Sequence, residues 1–373
     1  MTEITYGSIS EEGLTKMKAS FGRVYRPYRA HEVATKDAIR HFADAVGDPN
    51  PLWRDPSYAR ESKYGCIVSP PFFSYAVAAL QRMEGLPGVH AFHCATEWEW
   101  FDVIRENDEI IVEDVPTDLV EKTGKIGGRQ YLQVGKTYYY VRGKLVAVCK
   151  GKSMRVERKK AREKGKDKHI KLQINTEKDL EKIYQAIEKE ERRGNTPRYW
   201  EEVNINDELV PVVKGPLGME DMIAWYVGTA APHFAKAHEL RLEYLRKHPA
   251  WTYHDPETGA VGQMSAVHER TDLTDSIGLA GPYDLAVQRF SWIGHLICNW
   301  MGDDGFLKKV KAECRMFNYF GDTQYLKGRI VNKYTDKGQY FVDIEIRTEN
   351  QRGENTMPGM ATVMLPSLSR GRE

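Results

Sequence analysis

Two stretches of the chain are apolar on every side, and each is followed by runs in which apolar and polar residues alternate. The first covers residues 72–83, with Phe72, Phe73, Tyr75, Ala76, Val77, Ala78, Ala79 and Leu80. A helix with no polar face must be enclosed by other structure. The second covers residues 283–301, with Pro282 at its start and Gly302 just past its end, where helices favour those residues. An aromatic lead-in and a turn follow each stretch, ending at Asn107-Asp108 and at Gly321-Asp322. Strand-like runs come next, at 109–115, 130–141 and 144–156 in the first half and at 323–333, 339–347 and 355–365 in the second. Even the late turns agree, Arg142-Gly143 against Arg352-Gly353. One buried helix plus long antiparallel strands, occurring twice, predicts an α+β protein with an internal repeat.

Charge separates the copies. Residues 155–171 are dominated by Lys, Arg and Glu. Thr176-Glu177-Lys178-Asp179 then forms a capping-box-like start, and Leu180, Ile183, Tyr184 and Ile187 follow at helical spacing. Gly194 and Pro197 close that segment. The expected division is an N-terminal domain over 1–156, a charged linker with one surface helix over 157–196, and a C-terminal domain over 197–373. No aromatic residues interleave with the linker lysines (Lys159, Lys160, Lys164, Lys166, Lys168), which favours a solvated segment over a nucleic-acid or phosphate contact.

The chain of 373 residues can bury two cores. Its net charge of +1 gives no reason to expect nucleic acid or a membrane surface as partner. No run approaches the roughly 18 apolar residues that span a bilayer, and residues 1–30 lack the apolar core of a signal peptide. Five scattered cysteines without a CxxC spacing read as reduced thiols in a cytoplasmic protein. No metal-ligand cluster, phosphate-cradling loop, nucleophile elbow or dinucleotide fingerprint occurs, so no metal or redox cofactor is expected.

The most informative motif is Gly47-Asp48-Pro49-Asn50-Pro51-Leu52-Trp53, followed by Ser69-Pro70-Pro71-Phe72 at the first apolar stretch. It resembles the MaoC-like family of (R)-enoyl-CoA hydratases and acyl dehydratases, whose motif runs Gly-Asp-x-Asn-Pro-x-His. The resemblance covers most of residues 20–156 and 197–366. It implies a double hotdog, in which antiparallel sheets each wrap a central helix, and an acyl-CoA substrate handled by acid-base chemistry without a cofactor. Single-copy relatives build the same arrangement from two subunits. The departure is Trp53, which stands where the family places its catalytic histidine. The matching turn of the second half, Gly228-Thr229-Ala230-Ala231-Pro232-His233-Phe234, has lost the aspartate, and an insertion then runs to about Met264.

Hydration of a 2-enoyl thioester needs a base for water, an acid for the α-carbon and donors for charge growing on the thioester oxygen. By the resemblance, Asp48 is the catalytic aspartate and Asn50 its neighbour, with Trp53 as a wall of the acyl pocket; Asp48 reads equally as a turn residue capping local amides. His268, which precedes the second apolar stretch, is the candidate base, although a lone histidine is often a satisfied structural residue. Its partner would be Asp48 from the other half, or Glu269, Asp272 or Asp284 nearby. Amides around Tyr283 and Asp284 are the candidate oxyanion donors, with Pro71-Phe72-Phe73 the equivalent in the first half. Gln288, Arg289, His295 and Asn299 are polar residues on an apolar helix and need partners; Gln288 and Arg289 are candidate substrate contacts. Asp303-Asp304 reads as a surface turn, and His90 and His93 as neighbours of a core strand carrying Trp98 and Trp100. The expected activity is an enoyl-CoA hydratase or 3-hydroxyacyl-CoA dehydratase, as a homodimer suggested by Tyr138-Tyr139-Tyr140. A hotdog thioesterase and a non-catalytic acyl-thioester-binding subunit are the alternatives.

Overall fold

The computed structural model describes residues 3–4, 6–78, 85–123, 129–230 and 236–369. Nine strands form one antiparallel sheet: β1 Val89–Trp100, β2 Ile110–Thr123, β3 Arg129–Val141, β4 Lys144–Glu157, β5 Val212–Lys214, β6 Phe306–Glu313, β7 Gln324–Asp336, β8 Gln339–Asn350 and β9 Gly359–Leu365. Their order across the sheet is β2-β3-β4-β1-β6-β9-β8-β7-β5. The two halves are therefore joined edge to edge, and the seam is short: β1 meets β6 only from Ala95 opposite Glu313 to Glu99 opposite Lys309. Period-two patterning sets which face is buried; along β8, for example, Val342, Ile344, Ile346 and Thr348 all turn inward. The expected strands are all present, the one carrying Trp98 and Trp100 included, and the second half gains two the alternation did not reveal, β5 and β6.

Helix α4, Ala286–Met301, runs through the core with every residue after Ala286 buried. It begins three residues later than the apolar pattern suggests. Asp284 N–H donates to the Asn318 carbonyl (3.1 Å) and Phe320 N–H to that of Pro282 (3.0 Å), so this stretch forms a bridge before the helix can start. Gly294 lets the halves touch: a Cβ there would lie 2.9 Å from the Phe72 ring. In the first-half counterpart the described residues hold a 3-10 turn at Pro71–Phe73 and one helical turn at Ser74–Val77. Ala78 is extended, and its carbonyl accepts from the Tyr139 hydroxyl (2.8 Å), which takes it out of any helical ladder. The remainder of that predicted helix, 79–83, lies outside the described residues. Tyr139, at the middle of the tyrosine run, is a core residue.

Two further helices pack together over the core, α1 Lys36–Val46 and α3 Met219–Thr229. The expected linker is more structured than a tether. A helix at Arg158–Lys164 precedes α2, Glu177–Glu188, whose Thr176 cap and Asp179 form the predicted capping box. Asp167 accepts from the Tyr319 hydroxyl (3.1 Å), Asn175 donates to the Gly321 carbonyl (2.8 Å) and Glu190 accepts from the Val213 amide (2.8 Å). These bonds fasten the segment to the second half. All five cysteines are free thiols. Among the described residues no helix is long and apolar enough to cross a membrane.

Candidate active site

A cavity of about 1420 Å³ opens where the β1–β6 seam ends. Its walls come from both halves: His90, Phe92 and His93 of β1 on one side, His268, Tyr283 and Ala286 on the other, with Trp251 from the insertion over the top. The local chain explains why His268 lies there. A 3-10 turn at Met264–His268 presents the ring toward the bridge that precedes α4. Nδ1 lies 2.8 Å from the Tyr283 carbonyl, and a carbonyl only accepts, so Nδ1 carries the proton and Nε2 is the acceptor nitrogen. Burial pushes this imidazole down to about 4, against the opposing pull of the Tyr283 carbonyl and Asp284. His268 is thus a neutral base at physiological pH.

Beside it, α4 begins without a capping side chain: Leu285 occupies the N-cap position and makes no cap hydrogen bond. Leu285 and Ala286 both line the cavity. First-turn amides of a helix have no partner within it and carry the positive end of its dipole. Of the expected oxyanion donors, the Asp284 amide is spent on the Asn318 carbonyl, and the first turn of α4 is the donor-bearing stretch beside the cavity. The Asp284 carboxylate is also occupied: Arg289 grips it with Nε (2.7 Å) and a second nitrogen, and Asn318 donates to it (3.0 Å). Arg289 is accordingly the partner of Asp284 rather than an anion site. Glu269 accepts from the Tyr226 hydroxyl (2.5 Å), and Asp272 is held by Arg270 (2.9 Å). Gln288 turns away, donating to the Asp221 carbonyl on α3 (3.2 Å).

The family motif lies elsewhere. Asp48 is buried, and its carboxylate accepts from the Asn50 amide (3.0 Å) and from the indole Nε1 of Trp53 (2.9 Å). Asn50 caps the next turn by accepting from the Leu52 amide (3.0 Å). The pocket bounded by Asn50, Trp53, Cys298 and Met301 is only about 40 Å³, too small for a thioester. Trp53 thus fills the histidine's place and takes up the carboxylate, so it is a plug instead of the wall of an acyl pocket. The nearest imidazole is His295 of α4, with Nε2 3.8 Å from Asp48 and 4.0 Å from Glu190. Its Nδ1 pairs with the Lys214 ammonium (2.8 Å), which also donates to the carbonyls of Val46 and Gly47. Burial raises the Asp48 carboxyl and lowers Lys214 to about 8.

Asp48 and His268 therefore do not form one pair. His295 lies ten residues beyond Leu285, and at 1.5 Å per residue that puts the Asp48 cluster about 15 Å along α4 from the cavity end. Asp303 is no surface turn either; it is buried and accepts from the Tyr58 hydroxyl (2.6 Å). The second-half turn at 231–235 lies outside the described residues. What the sequence undervalued is β1: His90 and His93 both line the cavity, burial holds both well below the usual histidine range, and neither His90 Nδ1 nor His93 Nε2 has a hydrogen-bond partner among the described residues. The only available signal was two histidines three apart ahead of a Trp-rich strand. No group of three or more His, Cys, Asp or Glu side chains among the described residues could hold a metal ion.

Comparison with known proteins agrees with this architecture. The FAS1-like dehydratase domain region model matches residues 19–149. A UPF0336 protein of Streptomyces avermitilis is 32% identical over 120 residues, covering 30% of this chain and 77% of that protein. One from Streptomyces griseus is 26% identical over 135 residues, covering 34% and 87%. Among solved structures, a MaoC-like dehydratase superposes with a TM-score of 0.63 over 94% of this chain and 99% of its own at 13% identity. A Mycobacterium tuberculosis protein described as a double hotdog gives 0.54 over 94% and 97% at 10% identity. At such identities the likeness establishes the fold alone, and that fold is the double hotdog that the motif resemblance implied.

Proposed function

Because the chain belongs to the MaoC-like hotdog dehydratase family, we propose that it hydrates a 2-enoyl thioester, or dehydrates the corresponding 3-hydroxyacyl thioester, in the cavity at the N-terminus of α4. The observation that carries this reading is His268, a neutral imidazole whose tautomer is fixed by the Tyr283 carbonyl, set beside an uncapped helix start. The thioester oxygen would lie against the first-turn amides of α4, where the helix dipole favours the enolate that forms. His268 Nε2 would take a proton from water as the oxygen adds to the β-carbon, then return it to the α-carbon. Water is consumed whole, and one base on one face makes the addition syn. The thioester itself activates the alkene, so the chemistry asks for no cofactor. Coenzyme A is the carrier in this reading.

The test follows the loss of enoyl-thioester absorbance on a panel of 2-enoyl-CoAs with free thiol measured in parallel, for wild type and His268→Ala. Hydration that collapses in the variant supports the assignment. Thiol release would instead make the protein a thioesterase. Binding without turnover would make it a thioester-binding subunit, a reading favoured by the plug at Trp53.

A further inference from the structure

The wall beside the proposed base carries a phenol that is enclosed and unspent. Tyr283 lines the cavity and is 5% exposed, and its hydroxyl has no hydrogen-bond partner among the described residues. Tyr226 and Tyr319, close enough for the phenols to feel one another, spend their hydroxyls on Glu269 (2.5 Å) and Asp167 (3.1 Å). The Tyr283 ring is held in place. It packs edge-on against the His268 imidazole, with centroids 4.6 Å apart, and against Phe317 at 4.9 Å. Its own carbonyl is the group that meets His268 Nδ1 (2.8 Å), so one residue sets the tautomer of the base and carries a hydroxyl on the ring packed against it. Burial and the neighbouring Asp284 hold this phenol far above its ordinary range, so it stays neutral and can both donate and accept. An enclosed hydroxyl left unpaired destabilises the fold, and such a group calls for a partner that arrives later.

We infer that the Tyr283 hydroxyl holds the oxygen on the β-carbon of the acyl chain: the attacking water in hydration, the 3-hydroxyl in dehydration. This deepens the hydratase reading and rests on it for the role of His268. A water poised to add directs one lone pair at the β-carbon and one hydrogen at His268 Nε2. Its remaining hydrogen and lone pair leave it free to turn, and a neutral phenol can bind either. As the new C–O bond forms, the water O–H bond breaks toward Nε2 and the alkene electron pair moves onto the thioester as an enolate. Nε2 then delivers that proton to the α-carbon, and the phenol keeps its own proton throughout. The other oxygen a cavity donor could serve is that of the thioester. The first turn of α4, which begins at Ala286, already provides for it, whereas Tyr283 precedes that turn and packs on the base.

Titration calorimetry on the full chain compares each enantiomer of S-(3-hydroxybutyl)-CoA with S-butyl-CoA. These thioethers have no carbonyl to acidify the α-carbon, so none is turned over and the difference isolates the hydroxyl. One hydroxylated enantiomer is expected to bind about tenfold more tightly than S-butyl-CoA, the effect of a hydrogen bond made in an enclosed site. Tyr283→Phe, which keeps the ring against His268, should remove most of that preference and leave S-butyl-CoA within about twofold. In steady-state hydration the same variant should lower kcat about tenfold with KM unchanged, because the enoyl substrate lacks the oxygen that the phenol holds. Equal affinity of wild type for all three thioethers overturns the inference and needs no variant. So does a preference that survives Tyr283→Phe, or a variant that weakens hydroxylated and plain ligands alike, which would make the phenol a packing element. Weakening confined to the saturated thioester butyryl-CoA would assign the hydroxyl to the thioester oxygen and also overturn it. Hydration that collapses in His268→Ala but is indifferent to Tyr283→Phe sinks the inference alone. A hydroxyl preference that depends on Tyr283 while no enoyl thioester is turned over would refute the hydratase reading and leave the hydroxyl site standing.

Discussion

At the start of α4, His268 borders a cavity of about 1420 Å³; beside the later turns of the same helix, Trp53 closes a pocket of about 40 Å³ over Asp48. The two regions have much in common. Both lie where the halves meet, both pair an imidazole with buried polar neighbours, and in both burial drives ionisable groups toward their neutral forms. They differ in the space beside the polar groups. At the Asp48 end the indole and the Asn50 amide take up the carboxylate and Lys214 takes His295 Nδ1, and the adjoining pocket has no room for a ligand. At the His268 end an uncapped helix start borders open space, with His90 and His93 in the opposite wall. Matching a motif locates a turn; an imidazole and a helix start beside a void locate candidate chemistry.

The largest effect that could break this contrast is catalytic. His268→Ala should lower kcat/KM for hydration by about 10²–10⁴-fold, the usual worth of a positioned base, in steady-state assays with enoyl-CoA. An equal loss from Asp48→Asn, with none from His268→Ala, would move the site to the motif. Next in size is stability at the cavity rim. Asp284→Ala leaves the Arg289 guanidinium buried without its carboxylate and should cost about 3–5 kcal/mol, read by chemical denaturation. Smaller again, Trp53→Phe removes the indole donor from Asp48 and should cost about 1–3 kcal/mol, with kcat/KM of the folded protein unchanged; a drop in activity to match would show that the closed region serves catalysis.

The gentlest test is pH. His268 and His93 have folded values near 4, below the unfolded value of about 6.5. Between those limits the unfolded chain binds more protons, so stability should fall as pH drops from about 6.5 toward 4 and then level off. The acid limb of kcat/KM should likewise lie near pH 4. His268→Asn should flatten the stability slope, and an acid limb at an ordinary histidine value would contradict the burial of the base.

Much of the fold was legible because it repeats. Two apolar stretches and two sets of alternating runs gave a repeated α+β unit, since core-facing strands and an enclosed helix both leave periodic marks, and the motif resemblance implied the double hotdog. Element lengths were less legible: Ala78 leaves the helix because its carbonyl goes to Tyr139, a contact 61 residues away. The site was legible in its pieces but not in its grouping. His268 could be picked out by its position ahead of α4, yet its apparent complement in the other half lies at the far end of the helix.

The seam between β1 and β6 spans five residue pairs, but residues 157–196 join both copies in one polypeptide, and that changes what a mutation can do. In a symmetric homodimer every substitution appears twice, so a tryptophan that plugs one site plugs both. Once the copies are fused, they are separate positions in the gene, each free to drift while the other is held. One half could then give up its imidazole and become scaffold, and the other could enlarge its cavity with an inserted segment. Asymmetry of this kind is available only to a protein that has stopped depending on an identical partner.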